Sequence, residues 1–181
     1  VSLKSGGNVY EALRDGSDVF TPTRGEFGDE GEILDLVLGH DLVFNCLHGG
    51  IGEDGTIQVL LDLLEVPYTG TGPLGSSIAM NKLHSKKAFR RASVDTPGHI
   101  EVADLGIDEL SERIVEDLGF PVVIKPSKEG SSRGIKVVDR VEELAEKVDV
   151  VRNDYKDIFV EEYIDGREVT AGILEEEEGL N

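Results

Sequence analysis

The sequence predicts an α/β fold, on three observations. Short apolar runs bounded by glycine alternate with stretches whose apolar residues recur at helical spacing. The runs end in glycine-rich turns. A chain of 181 residues, 39% of them apolar, is also long enough to bury a real core in one or two domains.

The first segment, VSLKSGGNVYEAL (1–13), reads as an amphipathic helix with Val1, Leu3, Val9, Ala12 and Leu13 on one side. The chain opens on valine, so a strand is expected to precede it in the gene. DLVFNCL (41–47) reads as a buried parallel strand feeding His48, Gly49 and Gly50. Asp54 or Thr56 can cap the next helix, Thr56 to Leu64, where Ile57, Leu60, Leu61 and Leu64 fall at helical spacing; Pro67 closes that unit. TGTGPLGSS leads into a helix from Ser76 to Ala92, whose Lys86, Lys87, Arg90 and Arg91 lie toward the C-terminus, where the helix dipole favours cations.

After Pro97, GHIEV (98–102) is a predicted strand, and DELSERIVEDLG (108–119) a helix capped by Asp108 and stopped by Gly119. FPVVIKP (120–126) is a strand ending in Lys125 and Pro126, followed by a Gly-Ser loop. GIKVV (134–138) is a strand, VEELAEKV (141–148) a short helix, and IFVEEYI (158–164) a strand bearing two carboxylates. EVTAGIL (168–174) alternates like a strand, and EEEEGLN (175–181) resembles a polar hairpin tip whose partner strand is expected further on.

Charge narrows the partners. Thirty-seven acidic against 18 basic residues give a net charge of −19, and such a surface repels phosphate backbones and anionic lipid headgroups. Nucleic acid and membrane surfaces are therefore not expected partners, and any anionic ligand must find a local cationic pocket. No stretch approaches the roughly 18 apolar residues of a spanning helix, and no secretory leader opens the chain, so a cytoplasmic location is expected. Cys46 is the only cysteine, which forbids a disulfide within the chain and fits a reducing compartment. Acidity spread along the whole length suits either a salt-loving host or an acidic mesophilic protein.

Four clusters can carry chemistry. In HGGIGEDGTIQ (48–58) a glycine-rich turn feeds a helix N-terminus whose free amides suit an anion; the plainer alternative is a tight turn beside a solvated His48. GTGPLG (70–75) matches G-x-G-x-x-G, but a proline interrupts it and no convincing strand precedes it, so a turn entering a helix is the stronger reading. In KPSKEGSSRGIKVV (125–138), strand-borne Lys125 precedes a loop of Gly130, Ser131, Ser132 and Gly134 able to surround phosphate oxygens. It is not a Walker loop, because the lysine comes before the glycines; a flexible hairpin tip is the alternative. VEEYIDGRE (160–168) crowds Glu161, Glu162 and Glu168 onto a strand and the turn after it. Strand neighbours point to opposite faces, so Glu161 and Glu162 cannot both meet one ligand.

HGGIGEDG, GTGPLGSSIAMNK, FPVVIKPSKEGSSRGI and VEEYIDGRE, in this order and spacing, resemble the D-alanine–D-alanine ligases of the ATP-grasp superfamily over nearly the whole chain. The resemblance implies a Rossmann-like (pre-ATP-grasp) N-terminal domain over 1–80, an α+β ATP-grasp lid domain over 81–164 and the start of a C-terminal ATP-grasp domain over 165–181. The implied reaction uses ATP to phosphorylate one D-alanine carboxylate; the amine of a second D-alanine then attacks the acyl phosphate, giving the dipeptide used in peptidoglycan, ADP and phosphate. Lys82 and Lys125 match the lysines that meet ATP phosphates. Glu161 matches the acceptor of the adenine amino group, Glu162, Tyr163 and Ile164 the hinge framing the base, and Glu168 the acceptor for ribose hydroxyls. Ser131 and Ser132 match the loop that orients the first substrate and covers the transferred phosphate, and His48 the histidine near the first D-alanine's carboxylate.

The same resemblance implies Mg2+ or Mn2+ and a homodimer. The metal ligands, an arginine and a mobile loop are expected beyond Asn181, and a substrate-gripping glutamate before Val1, so the fragment alone is expected to be inactive. Asn81 stands where the family usually carries aspartate. Three alternatives remain: another ATP-grasp carboxylate–amine ligase and, from other classes, an NAD-binding module and an acidic interaction domain.

Overall fold

The structure, a computed structural model, describes residues 2–180 apart from Ser17, Asp104, Leu174 and 177–178; at Glu30, Glu175, Glu176, Gly179 and Leu180 it describes the backbone alone. Expectations placed on Val1, Leu174, 177–178 and Asn181 lie outside the described residues.

The first half is mostly helical. Helix α1 (Ser2–Gly16) forms where its spacing predicts, and α2 (Ile33–Val37) and α3 (Thr56–Leu63) follow. Ile33, Val37, Ile57, Leu61 and Val66 form one core, with Val43, Leu47 and Tyr68 packed against it. The strand expected over 41–47 reduces to a single parallel bridge, Val43 to Tyr68. Val43 N donates to Pro67 O and Thr69 N to Val43 O, at 2.8 and 3.0 Å. A strand extends only as far as its neighbour's backbone does, and that pairing stops after one residue. The cap of α3 also differs. Gly55 holds the cap position at φ +100°, where a Cβ would lie 2.6 Å from Pro73 O, and Asp54 serves beside it by accepting Thr56 N at 2.9 Å.

The single helix expected from Ser76 to Ala92 is two helices, α4 (Pro73–Met80) and α5 (Lys82–Arg91). Asn81 breaks it. Its backbone is extended and its side-chain oxygen accepts from Leu83 N and His84 N at 3.1 and 3.3 Å, the capping that makes asparagine a poor interior residue and a good first one. Lys82 thereby opens α5, and its amide donates to Ser127 O at 2.8 Å.

The second half is an antiparallel sheet with helices on one face. Strands β1 (His99–Glu101), β2 (Val122–Pro126), β3 (Lys136–Val138) and β4 (Ile158–Glu162) lie in the order β1-β4-β2-β3, with α6 (Ile107–Asp117) and α7 (Leu144–Asp154) between them in sequence. Every neighbouring pair is antiparallel. Helix α6 starts at Gly106, with Asp108 in its first turn instead of at its cap, and it stops at Gly119 (φ +74°) as predicted. Helix α7 outruns its expected end because Val148 and Val151 continue the stripe begun at Leu144. These three pack with Leu110 and Ile114 onto Val122, Ile124, Ile158 and Val160.

Strand parity sends the alternate residues Val123, Lys125, Phe159 and Glu161 to the opposite face, the one α5 approaches. The parallel sheet expected of an α/β protein is thus confined to one bridge, and the ordered sheet belongs to an α+β unit. Residues 168–173 form no strand, and beyond them β5 (Glu175–Glu176) pairs with β6 (Gly179–Leu180) as a two-residue hairpin.

Replacing Asn81 by alanine removes both cap bonds and is expected to cost about 1 kcal/mol, whereas Asn81→Asp keeps them and stays within a few tenths of wild type. Urea unfolding of the three proteins measures the difference.

Candidate functional site

The face of the sheet turned away from α6 and α7 carries a cluster of charged side chains. Glu161 is its centre, almost wholly buried and bonded to two cations. Lys86 on α5 reaches Glu161 Oε2 at 2.6 Å, and Lys125 on β2 reaches Oε1. Burial by itself would raise the Glu161 carboxyl, but the hydrogen bonds and charges of Lys125 and Lys86 outweigh it and hold the group below its ordinary value. The two lysines are not equivalent. Lys86 is 7% exposed and Lys125 26% exposed, so the latter is the more accessible to solvent.

Lys82 stands at the N-terminus of α5, where the helix dipole favours anions, and its ammonium donates to Glu129 O. Burial and then the repulsion of Lys125 push its pKa down. Two cavities share it. One, of about 220 Å³, is lined by Lys82 with Glu129, Gly130, Ser131, Ser132 and Arg133; the other, of about 230 Å³, by Lys82 with Lys86, Phe89, Thr96, Phe159 and Glu161.

The loop between β2 and β3 is strained. Ser131 and Ser132 are successive left-handed residues, φ +51° and +57°, at a cost of order 1 kcal/mol each. Gly134 closes the loop at φ +68°, with Tyr155 Cε2 and Pro126 Cγ only 2.5 and 2.7 Å from where a Cβ would sit. Both serines are exposed.

The other expected residues are placed as follows. Glu162 faces away from the cleft, as parity requires, and accepts Gly98 N at 2.6 Å; Tyr163 N donates to Pro121 O at 3.3 Å. Tyr163, Ile164 and Glu168 are exposed. His48 is exposed beside the first core, its amide donating to Ser2 Oγ at 3.0 Å, and it lines neither cavity.

The amides of the 48–58 turn are largely used inside the turn. Gly49 N donates to Glu53 Oε2 at 2.7 Å, while Gly52 N and Asp54 N donate to Gly49 O and Gly50 O. The plainer of the two readings of this segment, a tight turn beside an exposed His48, is the one these bonds fit. Pro73 occupies the first position of α4, so GTGPLG is a turn entering a helix. Among the described residues no group of three His, Cys, Asp or Glu side chains could hold a metal ion, and no helix is long and apolar enough to cross a membrane.

Two family models match this chain, the D-ala D-ala ligase N-terminus over residues 28–71 and the D-ala D-ala ligase C-terminus over residues 99–180, together more than half of it. The chain belongs to the D-alanine–D-alanine ligase family. A curated ligase from Geobacter sulfurreducens is 42% identical over 179 residues, covering 97% of this chain and 54% of its own length. The crystal structure of the D-alanine–D-alanine ligase from Bacillus anthracis superposes with a TM-score of 0.81 at 33% identity, over 91% of this chain and 53% of that one. The same enzyme complexed with ATP gives 0.80 at 32% identity, over 91% and 54%. The chain spans about half the length of the curated relatives it matches.

Two cations of the cleft are not evident from the sequence pattern. Lys86 is not a dipole-facing surface residue but a buried partner of Glu161, and Arg133 lines the serine cavity. Its position between Ser132 and Gly134 was the available signal for Arg133. For Lys86 the spacing was available: it is one turn of helix after Lys82.

Because the folded Glu161 carboxyl binds its proton less readily than the unfolded one, the unfolded chain holds more protons between the two pKa values. Its share of stability is present above about pH 4.5 and lost as pH falls below it. Glu161→Gln is expected to be about 3 kcal/mol less stable at neutral pH, since it leaves buried Lys86 without its counter-charge, and to lose less than wild type on acidification. Denaturant melts over the acid range read both effects.

Proposed function

We propose that the complete polypeptide is an ATP-dependent ligase that joins two D-alanines, and that this chain supplies most of its nucleotide grip. One observation carries the reading: Lys82 and Lys125, cations beside a buried carboxylate and a strained serine loop, stand together in a protein of net charge −19. A cleft of this kind offers local neutralisation to an anion that the surrounding field repels.

In this reading Lys82 and Lys125 meet the phosphate oxygens of ATP. Glu161 accepts from the adenine amino group, Tyr163 and Ile164 frame the base beside Glu162, and Glu168 accepts from the ribose hydroxyls. Ser131 and Ser132 close over the first D-alanine and the phosphoryl group in transfer, and His48 stands near that D-alanine's carboxylate. The γ-phosphoryl group passes from ATP to the carboxylate of the first D-alanine. The amine of the second attacks the acyl carbon, phosphate leaves, and the amine sheds a proton. Exposed serines on a strained, anchored loop support the closing role, since their backbone geometry is held by the surroundings and not by preference.

Magnesium or manganese, when bound, would neutralise phosphate charge. Among the described residues no group of three His, Cys, Asp or Glu side chains could hold it. The division into a Rossmann-like unit to residue 80, a lid over 81–164 and the beginning of a catalytic unit after it rests on the same reading. So do a cytoplasmic location and a homodimer.

In the complete polypeptide, ATP with magnesium is expected to raise the melting temperature and NAD to leave it unchanged. Lys125→Ala is expected to lower the ligation rate by about a hundredfold or more, the scale for loss of one electrostatic contact to a developing charge. Coupled detection of ADP release measures it. A wild-type rate in that variant would remove the role given to Lys125.

A further inference from the structure

Lys86 has every feature of a fixed charge. Its ammonium has three N–H groups and three acceptors: Glu161 Oε2 at 2.6 Å, Pro97 O at 2.9 Å and Thr96 Oγ1 at 3.1 Å. Phe159 covers it, with the ring centroid 6.0 Å from Nζ. Lys125 differs on each count. Its ammonium has one bonded partner, Glu161 Oε1, and the side chain is more than three times as exposed.

That asymmetry matters because a buried carboxylate stripped of its only counter-charge is costly. Were Lys125 the sole partner of Glu161, moving it onto a phosphate would leave a bare anion inside the protein. With Lys86 in place the carboxylate keeps a full positive charge and a short hydrogen bond when Lys125 departs. The released Oε1 then becomes a free acceptor on a carboxylate that lines one cavity with Lys82, Phe89 and Phe159.

We propose that Lys86 is a positioning residue for nucleotide binding: it is the permanent counter-ion of Glu161, and so lets Lys125 exchange from that carboxylate onto the phosphates of an incoming nucleoside triphosphate. The inference rests on the ligase reading above and adds to it a resting state, in which Lys125 is stored on Glu161, and a bound state, in which Oε1 turns to the base. Glu161 is faced by Lys82 and Lys86 from α5, Lys125 from β2 and His99 from β1, and of these four Lys86 is the one that is both bonded to the carboxylate and held by two further acceptors, Thr96 Oγ1 and Pro97 O.

A merely structural lysine and a counter-ion that enables exchange differ in proton linkage. In Lys86→Met, moving Lys125 away forces Glu161 to take up a proton, so ligand binding must strengthen as pH falls; a packing defect weakens binding by the same factor at every pH. The test is calorimetric titration of the complete polypeptide with ATP and with inorganic tripolyphosphate, each with magnesium, from about pH 8 to about pH 5.5, using wild type, Lys86→Met and Lys86→Met/Glu161→Gln.

The single variant is expected to bind both ligands at least about tenfold more weakly at the alkaline end, with the gap to wild type closing on acidification. The double variant, which has no carboxylate to neutralise, is expected to bind tripolyphosphate nearly as wild type does and without the extra pH dependence. A single variant that binds like wild type, or a gap that stays constant with pH, overturns the proposal. If the single variant fails to fold, the double variant decides: tripolyphosphate affinity near wild type supports the exchange and its loss overturns it. A wild type that binds neither ligand instead overturns the ligase reading, and the exchange with it.

Discussion

The carboxylate of Glu161 is the contact on which the rest of the cleft depends. It lies on β4, yet it holds a lysine from β2 and a lysine from α5, so one side chain ties the helix that leaves the first half of the chain to the sheet that forms the second. The tie extends through Lys86 to Thr96 and Pro97, which lead into β1, and through the Lys82 amide to Ser127 just after β2. Of the two cations with a proposed phosphate contact, Lys125 is bonded to Glu161 directly, and Lys82 is tied to the backbone just beyond the strand that carries Lys125. A buried ion pair contributes little to stability compared with a well-packed apolar cluster, so its value here lies in placement.

Placement against a net charge of −19 is an electrostatic problem with a local solution. Lys82, Lys86 and Lys125 gather around one buried acid, and the group is cationic although the chain as a whole is strongly acidic. The strain of that gathering is visible in Lys82, which burial and the neighbouring Lys125 make easier to deprotonate than an ordinary lysine. The repulsion is highest when the cleft is empty and is relieved by an anion between the two. A site that stores its repulsion in the free state gains selectivity for multiply charged ligands, because a singly charged one cannot satisfy both ammonium groups at once.

How much of this was legible depends on how far each residue's role is local. Lys125 was legible because an apolar run ending in lysine puts that lysine at a strand end, and the opposed directions of Glu161 and Glu162 followed from strand parity alone. The stop of α6 at Gly119 was equally local. The break at Asn81 was hidden because Ser76 to Ala92 keeps a helical apolar spacing through the break; only the competition between an asparagine oxygen and the backbone separates two helices from one. Lys86 was misread because its charge suits a helix C-terminus as well as it suits a carboxylate 75 residues away in sequence, and only the pairing of β1 with β4 brings that carboxylate under it. The strand at 41–47 was overread, since an apolar run specifies burial but not the neighbour that makes burial a sheet.

The serine loop shows how the same cleft can be both strained and ready to move. Its far end is locked, since Gly134 passes between Tyr155 and Pro126 where no side chain fits. Its near end is tied by Lys82 to the carbonyl of Glu129. Between these fixed points Ser131 and Ser132 carry consecutive left-handed backbones, and both are exposed. Strain held between two anchors is released by moving what lies between them, and there that is the pair of hydroxyl-bearing residues. The closure proposed for these serines would need changes at two pairs of backbone torsions and would leave β2 and β3 where they are. In the proposed function, an anion that takes the Lys82 ammonium from Glu129 would loosen the near anchor at the moment the serines gain something to bind, coupling occupancy of the cleft to movement of the loop.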